Sequence, residues 1–121
     1  MALKIASYMT EYGEEKENIY CCVTECKYDP VKCELLFSIR PFASKAAKDS
    51  GYSPLPIGAL DLAGIIKDVA HDDDLMAKAY DWIKEQIIVA TEEQAEEKAM
   101  SADPVYEKAL KWREYAGCVD C

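Results

Sequence analysis

The sequence predicts a single α+β domain, in which an N-terminal three-stranded antiparallel meander is followed by three helices (β-β-β-α-α-α). Three observations support this prediction. Apolar and polar residues alternate over residues 1–42, which is the two-residue period of a strand. From residue 59 onward, apolar residues recur every three or four positions, as they do on one face of a helix. A length of 121 residues is typical of one domain.

The predicted meander occupies residues 1–42. Between its strands lie segments rich in turn-forming residues, so short hairpin connections are expected. One face of the sheet is predicted to be apolar, and the opposite face also carries tyrosines, cysteines and a leucine in place of the charges of a solvated sheet. The predicted core residues of the three strands are Leu3, Ile5 and Met9, then Ile19, Cys21 and Val23, then Leu35, Phe37 and Ile39.

Residues 43–58 are predicted to form a crossover loop, because prolines and glycines are concentrated there. This loop is also a candidate binding loop, and a short helical turn is possible within it. Residues 59–117 are predicted to be helical, and residues 118–121 to form a tail. The three expected helices are roughly 59–70, on the stripe Leu62, Ile65, Ile66 and Val69; 76–99, preceded by Asp72–Asp74; and a third that begins with Asp103 and Pro104 and ends at Gly117.

Charge excludes two classes of partner. Fourteen basic residues against twenty-three acidic ones give a net charge of −9. Binding to DNA or RNA requires clustered lysine and arginine, and the same holds for an anionic membrane surface, so neither is expected. No apolar stretch is long enough to cross a bilayer, and the N-terminus lacks the apolar region of a secretory signal. A cytoplasmic protein is therefore predicted.

Catalytic motifs are missing from the sequence. His71 is the sole histidine, so a Ser/His/Asp triad or a multi-histidine metal site is not supported. The three aspartates that follow it are better explained as helix caps than as metal ligands. No glycine-rich phosphate-binding motif occurs. A non-enzymatic protein without a cofactor is the favoured prediction.

Cysteine spacing suggests one exception, a zinc site. Cys118 and Cys121 have the Cys-x-x-Cys spacing of a zinc knuckle. Cys26 and Cys33 flank a predicted turn, and could lie opposite each other on adjacent strands to complete a tetrathiolate. The alternative is that all six cysteines are reduced thiols without a metal, because a terminal Cys-x-x-Cys alone is weak evidence.

Two surfaces are candidates for binding a partner protein. Tyr8, Tyr12 and Tyr20 are predicted to lie on the second face of the sheet, where a partner or a second copy could cover them, although the chain's own long helix could do so too. Glu92, Glu93, Glu96 and Glu97 concentrate negative charge within about 9 Å of helix, close to the charge density of a nucleic-acid backbone. A solvated helix end is the alternative explanation for these glutamates.

The sequence therefore predicts a small acidic, non-enzymatic protein-interaction domain that forms a homodimer. One alternative is a nucleic-acid mimic that inhibits a DNA-binding or DNA-cutting enzyme, with the aspartates of residues 72–74, Asp81 and Glu85 extending its negative face. The other is a zinc-stabilised adaptor. In composition the chain resembles small acidic phage-encoded and accessory proteins.

Overall fold

The chain folds into one α+β domain built on a five-stranded antiparallel sheet, as seen in a computed structural model that describes residues 2–10, 12–70 and 74–120. The strand order across the sheet is β4-β3-β2-β1-β5. The strands are β1 (Leu3–Met9), β2 (Glu15–Asp29), β3 (Glu34–Phe42), β4 (Leu62–Ile66) and β5 (Val119–Asp120). The helices are α1 (Lys45–Asp49), α2 (Leu75–Ala90), α3 (Ala95–Met100) and α4 (Pro104–Ala109), with 3₁₀ segments at Gly58–Leu60 and Leu110–Tyr115.

The core lies between one face of the sheet and the helices. Eight of the nine residues predicted for the strand interior are buried there, and Met9 is the exception at 61% exposure. From the helical side, α2 and the Leu110–Tyr115 segment contribute large aromatic side chains. Phe37, Trp82 and Trp112 form a connected ring cluster, with centroid separations of 5.6 Å for the two edge-on contacts made by Trp82. This cluster joins β3 to both helical elements.

A bulge in β2 changes which residues face the core. The β2–β3 register shifts between Val23 and Glu25, and beyond the shift Cys26 lies opposite Phe37 on the core side of the sheet. The Tyr80 hydroxyl accepts a hydrogen bond from the Val23 backbone N–H at 2.8 Å. The bulge is thereby tied to α2, and the alternation predicted for β2 is broken at this point.

The first predicted helix is wrong, because residues 62–66 form β4. This strand pairs antiparallel with β3, and its buried fraction alternates residue by residue. The run contains Gly64, which is a poor helix former, and two consecutive β-branched isoleucines, which favour strands. A β-carbon at Gly64 would lie 2.7 Å from ring atoms of both Phe37 and Trp82, so glycine permits the close approach of these rings.

The second predicted helix is shorter than expected. It begins as predicted after Asp74, whose Oδ1 accepts a hydrogen bond from the Ala77 N–H at 3.1 Å. It ends at Ala90 instead of Ala99, because the chain turns at Thr91 before α3 begins. The Thr91 hydroxyl donates to the carbonyl of Ile87 at 2.9 Å, which satisfies a carbonyl at the helix end. No helix of the described residues is both long and apolar enough to span a membrane.

The start of the last predicted helix is confirmed, but its second half is not α-helical. Asp103 caps α4, with Oδ1 accepting from the Val105 N–H at 3.1 Å, and Pro104 occupies the first turn. After Ala109 the chain continues as a 3₁₀ segment. Gly117, with a φ of 82°, lies just beyond it and fits the predicted stop.

The predicted tail is also wrong for its described part, because Val119 and Asp120 form β5 against the free edge of β1. The Lys84 ammonium lies 2.9 Å from Asp120, and this contact joins β5 to α2. Cys121 lies outside the described residues. Pairing with β1 explains why the chain end takes an extended conformation here, since an unpaired strand edge is a ready template for another strand.

Candidate functional site

The three tyrosines predicted to share one surface lie on two. Tyr8 packs against the main core, whereas Tyr20 packs against a small separate cluster on the other face of the sheet. The β1–β2 pairing is interrupted between Ile5 and Ser7, where Asn18 has a positive φ of 53°. Beyond this position Tyr8 packs against the main core. The predicted single patch is therefore incorrect, while Tyr8 and Tyr12 remain together.

Tyr8 and Tyr12 line a cleft between the β1–β2 hairpin and the loop that precedes β4. The cleft has a volume of about 230 Å³. Tyr12 is 82% exposed, and the Tyr8 hydroxyl donates to Glu114 at 2.8 Å. The residues that line the cleft are Tyr8, Thr10, Tyr12, Glu14 and Lys16 from the hairpin and Leu55, Pro56, Ile57, Gly58 and Ala59 from the loop.

Both walls of this cleft are held by short hydrogen bonds. In the hairpin, the Thr10 backbone N–H donates to Glu14 O at 2.8 Å, and the Thr10 hydroxyl accepts from the Glu14 N–H at 3.2 Å. In the loop, the Leu55 N–H donates to Pro41 O at 2.8 Å, and the Ile57 side chain is buried in the core. A surface already ordered before binding loses less conformational entropy when a partner docks.

The four predicted glutamates do share one surface, although Glu92 and Glu93 lie in the turn after α2 and Glu96 and Glu97 lie in α3. All four line a shallow depression between the end of α2 and α3, and Arg113 lies in the same depression. The Arg113 guanidinium is 2.5 Å from Glu96. Lys98 lies 3.8 Å from Glu92, which also accepts a hydrogen bond from the Tyr106 hydroxyl. Two of the four glutamates, Glu92 and Glu96, are therefore paired with basic side chains of the same chain.

The extensions predicted for the acidic surface are only partly described. Asp72 and Asp73 lie outside the described residues, as does His71. Asp74 is at the opposite end of α2 from Glu92, about 24 Å away along the 16-residue helix. Asp81 and Glu85 are exposed on α2 between them. The negative surface at the α2–α3 turn is therefore distinct from the cap at Asp74.

The cysteines of the predicted zinc site are not brought together by the hairpin. Asp29 and Glu34 close the β2–β3 turn, so Cys26 lies opposite Phe37, and Cys33 lies in the turn itself. The prediction that Cys26 and Cys33 oppose each other is wrong for this reason. No group of three or more metal-ligating side chains is found in the described part of the chain, which excludes Cys121.

Two of these cysteines, Cys26 and Cys118, have a raised thiol pKa. Burial raises the pKa of Cys26, and burial together with the neighbouring Asp120 carboxylate raises the pKa of Cys118. Thiolate is the form that binds metals and attacks electrophiles, so a raised pKa disfavours both reactions at neutral pH. The five described cysteines are free thiols.

Sequence reasoning identified part of the cleft and missed the β4 edge of the sheet, which lies outside the cleft. The crossover loop was predicted as a binding loop, and Pro56 and Gly58 from this loop line the cleft. The β4 edge was missed because a helix was expected there. Its signal was the short run of five uncharged residues containing a glycine and two isoleucines, which fits a strand better than a helix.

The chain combines an α+β fold with a cleft lined in part by Tyr8 and Tyr12. Comparison with known families, curated proteins and solved structures adds no relative, because none of them matches this chain.

Proposed function

We propose that this chain is a protein-interaction domain that acts as a homodimer and binds a segment of a partner protein in the cleft between the β1–β2 hairpin, which carries Tyr8 and Tyr12, and the loop that precedes β4. The observation that carries the proposal is the cleft itself, with an ordered wall on each side and an exposed tyrosine at its rim. Tyrosine offers a rigid apolar ring and a polar tip, and is enriched at protein interfaces.

The size of the cleft favours a protein segment over a cofactor. Its volume of about 230 Å³ is below the roughly 300–1,000 Å³ of small-molecule sites. A space of this size holds one or two side chains of a partner. Lys16 and Glu14, which are 3.4 Å apart, would provide a polar rim around the apolar centre.

The thiols support action in the cytoplasm. Cys21 and Cys22 are buried in the two apolar clusters, and free cysteines persist in a reducing compartment. We therefore propose a cytoplasmic partner.

Affinity capture from the source cells tests the binding proposal. The wild-type chain, Tyr12→Ala and Tyr52→Ala serve as baits, with bound proteins measured by mass spectrometry. Tyr52 is a matched control because it is 70% exposed and lies outside the cleft. We expect a partner to be retained by the wild type and by Tyr52→Ala, and its recovery to fall about tenfold with Tyr12→Ala, because the partner would cover the exposed Tyr12 ring. Identical partners on all three baits would contradict the proposal.

The nucleic-acid mimic remains a second candidate, because the four glutamates share one depression. Arg113 within that depression weakens the resemblance to a polyanion. The test is competition with labelled duplex DNA for the DNA-binding proteins of the source cells. A mimic would compete, and Glu93→Gln/Glu97→Gln would compete less than a control double variant, Asp49→Asn/Glu107→Gln. Absence of competition at low salt, where charge contacts are strongest, would eliminate this candidate.

A further inference from the structure

β4 forms one edge of the sheet and lacks most of the features that protect such an edge. Its five residues include no charge and no proline, and β3 is its only partner among the described strands. An edge strand exposes backbone N–H and C=O groups that readily pair with another strand. The other edge, β5, has two residues in the described part of the chain. β4 is therefore the better candidate for strand addition.

One side-chain contact indicates which groups of β4 point outward. The Lys111 ammonium donates to the Ala63 carbonyl at 3.2 Å. In an antiparallel ladder, the backbone N–H and C=O groups of successive residues point alternately toward the neighbouring strand and away from it. The N–H and C=O groups of Ala63 and Ile65 therefore both point away from β3. Lys111 covers one of their two carbonyls, and its exposed flexible side chain can move aside.

We infer that a second copy of this chain pairs with β4 in an antiparallel register centred on Gly64, which joins two sheets into one of ten strands. In this register, Ala63 of each copy lies opposite Ile65 of the other, so outward-facing groups meet and form hydrogen bonds. A slip of one residue would place residues whose backbone groups point away from β3 opposite residues whose backbone groups point toward it, and these hydrogen bonds would be lost.

The charges that flank β4 favour the register centred on Gly64 over registers shifted by two residues. Asp61 precedes the strand and Lys67 follows it. Pairing centred on Gly64 sets Asp61 of each copy opposite Lys67 of the other, at both ends of the new ladder. A slip of two residues would keep the hydrogen bonds but separate these charges. Cross-strand pairs of opposite charge stabilise a sheet, and like charges destabilise it.

The face of β4 opposite the main core adds an apolar contact. Ile65 is 52% exposed and lies opposite Leu36 of β3, which is 41% exposed. A two-fold axis perpendicular to the sheet keeps the same face outward in both copies, so Ile65 of each copy packs beside Ala63 of the other. Gly64 meets Gly64 without any side-chain overlap. This interface rests on the homodimer part of the proposed function and is independent of the tyrosine-lined cleft.

Charge reversal combined with mixing tests the register. Sedimentation equilibrium over roughly 1 μM to 1 mM is applied to the wild type, Lys67→Glu, Asp61→Lys and an equimolar mixture of the two variants. We expect each variant alone to raise the dimer dissociation constant about tenfold at low salt, because two attractive pairs become repulsive. The mixture should form a mixed dimer of near wild-type affinity, since every pair is again opposite in charge. Lys32→Glu, in the β2–β3 turn, is the matched control and should dimerise like the wild type.

A second measurement protects the test against local misfolding. Asp61 lies 3.6 Å from Arg40, so circular dichroism must show that Asp61→Lys is folded. In the wild type, amide exchange at Ala63 and Ile65 should slow at least tenfold between monomer and dimer concentrations. A wild type that is monomeric at every concentration would overturn this inference together with the homodimer proposal. A dimer that is insensitive to both reversals and to mixing would overturn the β4 interface alone.

Discussion

Gly64 shows how a single residue position sets the packing of the core. A β-carbon there would lie 2.7 Å from Phe37 Cζ and 2.7 Å from Trp82 Cζ3. We predict that Gly64→Ala lowers the free energy of unfolding by roughly 1–3 kcal/mol, the usual cost of forcing extra volume into a packed core.

Gly58→Ala is the matched control for this prediction, because among the described residues no atom beyond its chain neighbours lies within 4 Å of the added β-carbon. Its free energy of unfolding should stay within about 1 kcal/mol of the wild type. Denaturant unfolding monitored by tryptophan fluorescence measures both variants. Equal stability of Gly64→Ala and Gly58→Ala would show that the rings do not approach β4 as described.

Cys118 carries the clearest pH-dependent prediction. Burial and the Asp120 carboxylate raise its pKa, so the thiol stays protonated to higher pH in the folded chain than in the unfolded one. We predict that the pH midpoint of its alkylation rate shifts upward on folding, and that Asp120→Asn moves the midpoint partway back. Mass-spectrometric alkylation rates across pH 7–11 measure this. A folded midpoint at or below the unfolded one would contradict the assigned cause.

At the scale of elements, the start of α2 depends on one side chain. The Asp74 carboxylate accepts from the Ala77 N–H at 3.1 Å. Asp74→Ala should cost about 1 kcal/mol of unfolding free energy, as is usual for loss of an N-cap. Asp81→Ala, in the exposed middle of the same helix, should change it by less than about 0.5 kcal/mol. Thermal or denaturant unfolding compares the two, and an equal loss for both would rule out the capping role.

The sequence was informative where local signals and tertiary packing agree. The strand cores around Ile19 and Phe37 and the caps at Asp74 and Asp103 were predicted from alternation and cap chemistry. β4 was missed because Leu62, Ile65 and Val69 also satisfy helical spacing, and only pairing with β3 decides between the two structures. Local periodicity cannot show such a partner.

The sequence indicated which residues to consider for the candidate site, but it did not predict how the structure arranges them. Tyr8 and Tyr12 line one cleft, whereas Tyr20 packs against a separate cluster on the other face of the sheet, and their role in binding a partner stays a prediction. The end of α2 at Ala90 leaves Glu92 and Glu93 in a turn and Glu96 and Glu97 in α3, yet all four line one depression. Asn18 carries a weak local signal, because asparagine is depleted in strands and tolerates a positive φ, whereas Thr91 carries none.

At the scale of the whole molecule, the chain combines an ordered cleft, an acidic depression and an unprotected strand edge. Its net charge of −9 disfavours chance association between copies, since like-charged surfaces repel. An interface between copies must therefore be locally complementary, as the flanks of β4 are. The cleft uses the hairpin and the loop before β4, so a partner segment and a second copy would contact different residues.

The most direct test of the protein-binding proposal is site-specific photo-crosslinking in the source cells. A photoreactive amino acid replaces Tyr12 in one version of the chain and Tyr52 in the other, and both are irradiated at equal expression. The proposal predicts one discrete adduct to another protein from position 12 and none of that mass from position 52. The same adducts from both positions, or none from position 12 in a folded chain, would contradict it.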